Sequence, residues 1–332
     1  MNFKWSLLYT AIRVKKIAAY FLGILSLILL LSFAFLKLGD RLFAQDSFPF
    51  AKYAYRVAYL LNPFNLGLEK RIQASDVLNT ERSEESEETA VDKNIAYKGV
   101  SKINVLGAST TVPVLMYHYI RVNPNQDDKV GFRLSVSPQN FAAQMNYLAQ
   151  QGYHTISLDD LGGFFFSHAS LPSKPIIFTF DDGYSDFYTA AYPILKSHGF
   201  KAVSFVITGF VGIPGFLTWS QIDEMKSSGL VFFGSHTVHH LSLPSIAFDK
   251  IQSELTQSKK ELEQHLGYPI NWMAYPYGSV NKAVVDTALQ SGYVGAFGTN
   301  RGTYQSTDFI YTLPRIRIGG GDTLGSFSAK IP

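Results

Sequence analysis

The stretch Pro175-Ile176-Ile177-Phe178-Thr179-Phe180-Asp181-Asp182-Gly183-Tyr184 decides how the rest of the chain is read. PIIFTF is a short run of aromatic and β-branched residues, the composition of a strand buried on both faces. Two carboxylates stand side by side at its end. Neighbouring side chains of a strand point to opposite faces, so both can reach one site only if the strand stops there, which Gly183 allows. Asp and Gly are also ordinary turn residues, and alone the pair leaves turn and function equally open.

The same texture repeats on both sides of this stretch. Upstream, VPVLMYHYI from Val112 predicts a first strand. Ser137-Pro138 then supplies an N-cap with proline in the first helical turn, and Phe141, Met145 and Leu148 form an apolar stripe running towards Gly152. Downstream the pattern predicts a helix over 187–198, kinked at Pro193, and a strand from Ala202 (AVSFVI). A short helix over 220–228, a strand from Val231 (VFFG), a long charged-faced helix over 248–265 and a strand from Asn271 (NWMAY) follow. A helix over 281–291 and strands from Gly295 (GAF) and Leu313 (LPRIRI) complete the series. About seven strand–helix units in roughly 215 residues predict an α/β fold, a distorted or incomplete (β/α) barrel of about seven parallel strands. Active sites of such folds lie at the carboxyl ends of the strands, where Asp181 and Asp182 fall.

A second cluster sits at another strand end. Gly234-Ser235-His236-Thr237-Val238-His239-His240 follows VFFG, and His236 and His240 are four apart, so one helical turn would set both imidazoles on one face. The other histidines of the chain's eight, beyond the three here, occur singly. Three His at one strand end and Asp-Asp at another make a His-His-Asp site for Zn²⁺ or a similar ion the stronger hypothesis, with His239 competing with His240. The chain has no cysteine, so a thiolate nucleophile, a disulfide and a Cys-type zinc site are excluded. A net charge of +3 over 332 residues, without a long basic tract, argues against a nucleic-acid partner.

The amino-terminal third differs. Residues 17–36 (IAAYFLGILSLILLLSFAFL) carry no charge over a length that spans a bilayer, preceded by Arg13, Lys15 and Lys16. They predict an uncleaved membrane anchor with residues 1–16 in the cytoplasm and the rest of the chain outside it, favoured over a signal peptide by the length of the run. Residues 37–110 read as a juxtamembrane helix, with Ala54, Val57, Ala58 and Leu61 at helical spacing, and an acidic linker containing TERSEESEETAVDKN. Residues 111–332 form the expected catalytic domain.

TFDDGY followed by SHTVHH resembles the NodB-homology polysaccharide deacetylases, carbohydrate esterase family four, over roughly residues 112–325. The Ala274-Tyr275-Pro276-Tyr277-Gly278 segment and the opening strand with His118 are similar to the branch that deacetylates poly-N-acetylglucosamine. The resemblance implies that Asp181 is the general base, that Asp182, His236 and His240 hold a divalent metal, and that the Thr237 hydroxyl braces the loop between the ligands. The implied metal is zinc, with cobalt, nickel or manganese as substitutes. The segment at Met273–Gly278 lacks the arginine of many members, and Arg315 is the candidate to orient Asp181 in its place, with a purely structural pairing as an equal alternative. No histidine follows His265, so His118 stands as the candidate general acid, with a satisfied core histidine as the alternative. The backbone near Tyr277 is the candidate oxyanion contact, and Tyr184, Trp219, Tyr275 and Tyr277 are candidates to stack on sugar rings. The implied reaction is hydrolysis of N-acetyl, or O-acetyl, groups on an extracytoplasmic polysaccharide. An inactive carbohydrate-binding module and a metal enzyme on small ureido or phosphoester substrates are the rivals.

Overall fold

The computed structural model describes residues 25–41, scattered positions between 54 and 72, and residues 107–332 apart from 124 and 126. The chain divides into two compact units, residues 1–79 and 80–332. In the first, residues 25–41 are helical; residues 17–24 of the expected anchor and the acidic segment lie outside the described residues. Among the described residues no helix is long and apolar enough to cross a membrane. Asp40 ties this unit together, accepting hydrogen bonds from the Tyr55 hydroxyl at 3.0 Å and Arg71 Nε at 3.1 Å.

The second unit is built on parallel strands β2 (Val114–Tyr117), β4 (Pro175–Phe180), β5 (Ala202–Val206), β6 (Val231–Ser235), β7 (Trp272–Ala274), β8 (Gly295–Arg301) and β10 (Leu313–Arg317). They pair in the order β2-β10-β8-β7-β6-β5-β4, and β4 pairs back onto β2, so the seven strands close a barrel. All seven expected strands are present, and closure replaces the incomplete barrel that the sequence suggests. A two-residue strand, β3 (His154–Thr155), adds to β4, and β1 (Ser109–Thr111) pairs antiparallel with β9 (Tyr304–Ser306).

The seam between β2 and β4 is closed by side chains as well as by the ladder. Tyr117 of β2 stacks on Phe180 of β4 at 5.2 Å between ring centroids, and Phe141 meets both edge-on at 5.3 and 5.8 Å. Phe141 comes from the helix Pro138–Gln150, whose first turn is fixed by Ser137 Oγ accepting the Asn140 N–H at 3.2 Å. The expected kink at Pro193 is a π-helical turn, Phe187–Ala191, leading into the helix Tyr192–His198, because proline has no N–H to give a regular ladder. A further helix, Leu158–Ser167, has no clear apolar periodicity because two glycines and three consecutive phenylalanines blur its stripe; the Ser157/Asp160 capping box is its legible signal.

Phe141 is fully buried at the seam. Phe141→Ala is expected to cost about 3–5 kcal/mol, the usual range for emptying a buried aromatic site, measurable as a lowered urea midpoint with little change in slope.

Candidate metal centre

Asp182, His236 and His240 converge at the carboxyl ends of β4 and β6, all three buried. Asp182 Oδ1 lies 3.3 Å from His236 Nε2 and 3.3 Å from His240 Nε2, and the two Nε2 atoms are 3.1 Å apart. Tetrahedral zinc with bonds of about 2.0–2.1 Å separates its ligands by about 3.3–3.4 Å, so the triangle has the edge lengths of such a site. His236 Nδ1 donates to the Ala274 carbonyl at 2.7 Å, which puts the lone pair of the neutral ring on Nε2. That lone pair faces a carboxylate oxygen. Neither Asp182 oxygen finds a hydrogen-bond partner among the described residues. Acceptors aimed at one another in a buried space fit a shared cation, and the residues present fit a divalent metal held by three protein ligands.

The backbone, not a helix, brings these groups together. The expected helical turn at 236–240 is absent: Thr237 (φ 66°) and His240 (φ 55°) adopt left-handed conformations, and the Thr237 hydroxyl accepts the His240 N–H at 3.0 Å. The strand β4 stops at Phe180, and Asp182 (φ 74°) turns left-handed together with Gly183 (φ 76°). Asp181 and Asp182 thereby reach one site without alternating across the strand. Tyr277 (φ 59°) repeats this after β7, with Gly278 next to it at φ 69° and packed so closely that a Cβ would collide with the Thr299 side chain. Such conformations cost about 1–3 kcal/mol each in non-glycine residues and cluster where function constrains the chain.

Asp181 lies beside the triad and is held from β10, which neighbours β4 across β2. Arg315 grips it with two parallel bonds, Nη1 to Oδ1 and Nη2 to Oδ2, both 2.7 Å. The same guanidinium donates to Thr179 Oγ1 at 3.1 Å and, through Nε, to the Gly298 carbonyl at 3.0 Å, so a fully buried arginine is held through all three of its nitrogens. It also lies over the Phe205 and Phe297 rings. Burial alone would raise the Asp181 pKa; Arg315 outweighs it, and the carboxyl is held below its usual range. With no cation between them, a proton shared by His236 and His240 would likewise push the Asp182 pKa down, against burial. His118 follows β2 directly, its Nδ1 buried with no hydrogen-bond partner among the described residues. Burial pulls its pKa down to about 4, although Asp182 and Asp181 pull the other way, so the ring is neutral at pH 7.

Residues 168–296 match the family model described as polysaccharide deacetylase. The chain is 32% identical over 220 residues to the polysaccharide deacetylase homologue YxkH of Bacillus subtilis (strain 168), covering 66% of this chain and 76% of that one. The protein belongs to the polysaccharide deacetylase family. It is 26% identical over 262 residues to the poly-β-1,6-N-acetyl-D-glucosamine N-deacetylase of Staphylococcus epidermidis, covering 73% of this chain and 85% of the relative. The solved structure of the Streptococcus pyogenes deacetylase PplD in complex with acetate superposes with a TM-score of 0.63 at 31% identity, covering 67% of this chain and 99% of that one. Enzymes of this family are metal-dependent hydrolases acting on N-acetyl amide bonds.

Within this deacetylase the aromatic candidates separate. Tyr275 and Tyr184 are 1% and 3% exposed, which removes both as platforms for a sugar ring. Tyr184 instead stacks on Tyr119 at 3.8 Å, and Tyr275 is a core residue following β7. Trp219 packs its ring on His265 at 4.1 Å. Tyr277 is the one set beside the triad, its ring 4.7 Å from that of His240. His239 turns away, its Nδ1 2.7 Å from Glu254 Oε1, so it does not compete with His240 for the triad. Glu254 is the residue that sequence reasoning missed. Its signal was a carboxylate on the apolar face of the helix Phe248–Leu266, among Ile251, Leu255 and Leu262.

Removing Arg315 strands a buried carboxylate. Arg315→Met is expected to cost about 3–5 kcal/mol at pH 7. Because Arg315 lowers the Asp181 pKa, the native pair contributes stability above the ordinary carboxylate pKa and loses it as pH falls through the depressed value. In the variant Asp181 relieves its burial by taking up a proton. The melting-temperature gap between the two proteins should therefore be widest near pH 7 and narrow towards pH 4; a gap independent of pH would contradict the pairing.

Proposed function

We propose that the protein is a zinc-dependent N-deacetylase of a polymer of the poly-N-acetylglucosamine class, working outside the cytoplasm at the membrane. The observation that carries the reading is the convergence of Asp182, His236 and His240 on one point, with an ionised Asp181 beside them. A divalent metal held by these three residues would polarise the acetyl carbonyl and make water a better nucleophile near neutral pH.

The chain's own residues account for the proton movements. Asp181 is the base: Arg315 keeps it anionic and fixes its plane, and the lone pairs that Arg315 leaves free accept the proton from the attacking water. The water oxygen bonds to the carbonyl carbon, and the carbon–nitrogen bond then breaks with acetate and a free amine as products. The amine must leave protonated. His118 is neutral at rest, so it acts as a relay, taking over the proton that Asp181 accepted from the water and passing it to the nitrogen. Tyr277, beside His240, is placed to meet the substrate's acetyl end, and its backbone is the candidate oxyanion contact.

The substrate class rests on the named activity of the Staphylococcus epidermidis relative, and the acetate seen with PplD matches the expected product. The membrane location rests on the uncharged run at 17–36 and on the surface of its described part. Leu25, Leu27, Leu30 and Phe33 are each more than half exposed, apolar surface that water would penalise and lipid would not.

The test is acetate release by the full-length chain, purified in detergent, from poly-β-1,6-N-acetylglucosamine and from peptidoglycan. Asp182→Asn is expected to abolish metal retention and activity while keeping the fold. Asp181→Asn should keep the metal and lower kcat by at least about 100-fold, the usual scale of a lost general base. Metal retained at full stoichiometry by Asp182→Asn would refute the ligand set, and full activity in Asp181→Asn would refute the base.

A further inference from the structure

The loop that carries His236 and His240 has five amide groups, and each has a partner. The His236 N–H donates to the Val206 carbonyl, that of Thr237 to Ser235 Oγ, and that of His240 to Thr237 Oγ1. The remaining two have no acceptor nearby in sequence. Those of Val238 and His239 both donate to Glu254 Oε2, at 3.0 and 2.8 Å. Glu254 is 0% exposed, and its other oxygen receives His239 Nδ1 at 2.7 Å and Lys250 Nζ at 2.9 Å. One helical turn later on the same face, buried Ser258 hydrogen-bonds Ser235 Oγ, the acceptor of the Thr237 amide.

A buried carboxylate is a costly way to satisfy two amides unless the loop must be held in a conformation it would not choose. This loop has two non-glycine residues in left-handed backbone, Thr237 and His240, on either side of the amides that Glu254 binds. Released from Glu254, Val238 and His239 would turn to find other acceptors, and His240 would move with them. We propose that Glu254 is the positioning residue of this deacetylase's metal centre, clamping the Val238 and His239 amides so that His240 Nε2 stays within ligand distance of His236 and Asp182. This rests on the reading that these three residues hold a metal. Glu254 touches neither substrate nor ligand atoms and acts through the backbone, and Ser258 supports the same loop through Ser235.

The experiment titrates the full-length chain in detergent with Co²⁺, read by its visible absorption, and with Zn²⁺ in competition with a chromophoric chelator. Glu254→Gln keeps the shape but turns one acceptor into a donor, and Glu254→Ala removes both acceptors. Affinity for both metals is expected to fall by about 10–100-fold in Glu254→Ala and by a smaller factor in Glu254→Gln, as outer-sphere substitutions commonly do. The Co²⁺ spectrum should change shape, which a general loss of stability would not produce. Lys250→Met, which leaves both amide bonds intact, should bind like the wild type. Wild-type affinity and spectrum in Glu254→Gln would overturn the proposal even if Glu254→Ala fails to fold. A wild-type chain that binds neither metal would instead overturn the metal-centre reading. Hydrogen exchange at the Val238 and His239 amides would then decide whether Glu254 holds the loop: faster exchange in Glu254→Gln sustains the clamp, and unchanged exchange ends it.

Discussion

Two adjacent carboxylates at the mouth of a closed barrel set the terms for everything around them. Asp181 and Asp182 are both nearly inaccessible, and two like charges so close would ordinarily force one to take up a proton. The structure resolves the conflict by giving each carboxylate a different cationic environment. Arg315 neutralises Asp181 through a two-bond fork, and the two imidazoles that face Asp182 complete a set suited to a metal cation. The division separates a carboxylate that can move a proton from one that can hold a cation.

Arg315 can make that fork because of how the barrel closes. β8 and β10 lose register between Leu313 and Arg315, so that Arg315 pairs with Arg301 while Leu313 pairs with Phe297. The slack in β8 turns the Gly298 carbonyl towards Arg315 Nε, and irregularities of this kind re-aim side chains in sheets. Thr179, two residues before Asp181 and on the same side of β4, accepts a hydrogen bond from the guanidinium and donates one to the Leu115 carbonyl of β2. Asp181, the closing ladder and the last strand are therefore one hydrogen-bonded assembly, and damage to the barrel seam reaches the site.

Much of this was legible in the sequence because barrel strands and their carboxyl ends follow from local composition. PIIFTF, AVSFVI and VFFG are apolar runs with chemistry at their ends, and the periodic helices between them fix the alternation. Strand-end position and spacing pointed to a His-His-Asp site, while the family resemblance singled out Asp182, His236 and His240 within it and Arg315 as the stand-in for the arginine absent at 273–278. What could not be read was backbone handedness. Four-residue spacing suggested a helical turn, but Thr237 and His240 are in left-handed backbone, with the loop amides donating to Ser235 nearby and to Glu254 of a distant helix. Burial was equally hidden: Tyr184 and Tyr275 have the residue type of a sugar platform and the accessibility of core, which only long-range packing decides. Closure of the barrel depends on the β2–β4 pairing across 63 residues of sequence, from Val114 to Ile177, and no local pattern encodes it.

The strained positions explain why the site is built on loops at the ends of strands. A strand interior would hold a ligand rigidly but could present only alternate side chains to one face. Ending β4, β6 and β7 in residues with positive φ lets consecutive positions converge, and Asp182, Thr237, His240 and Tyr277 all do so. Each conformation must then be held by something stronger than its own preference. At β6 the clamp is visible as Glu254 and the Thr237 hydroxyl; at β7 it is the turn in which the Gly278 N–H donates to the Tyr275 carbonyl, with Thr299 leaving no room for a Cβ at Gly278. At β4 it is the hydrogen bond from the Leu217 N–H to the Gly183 carbonyl, together with Arg315 on Asp181. A cation bound by Asp182, His236 and His240 would tie two of these three turns to each other, so that ligand binding and the maintenance of strained backbone become the same free energy.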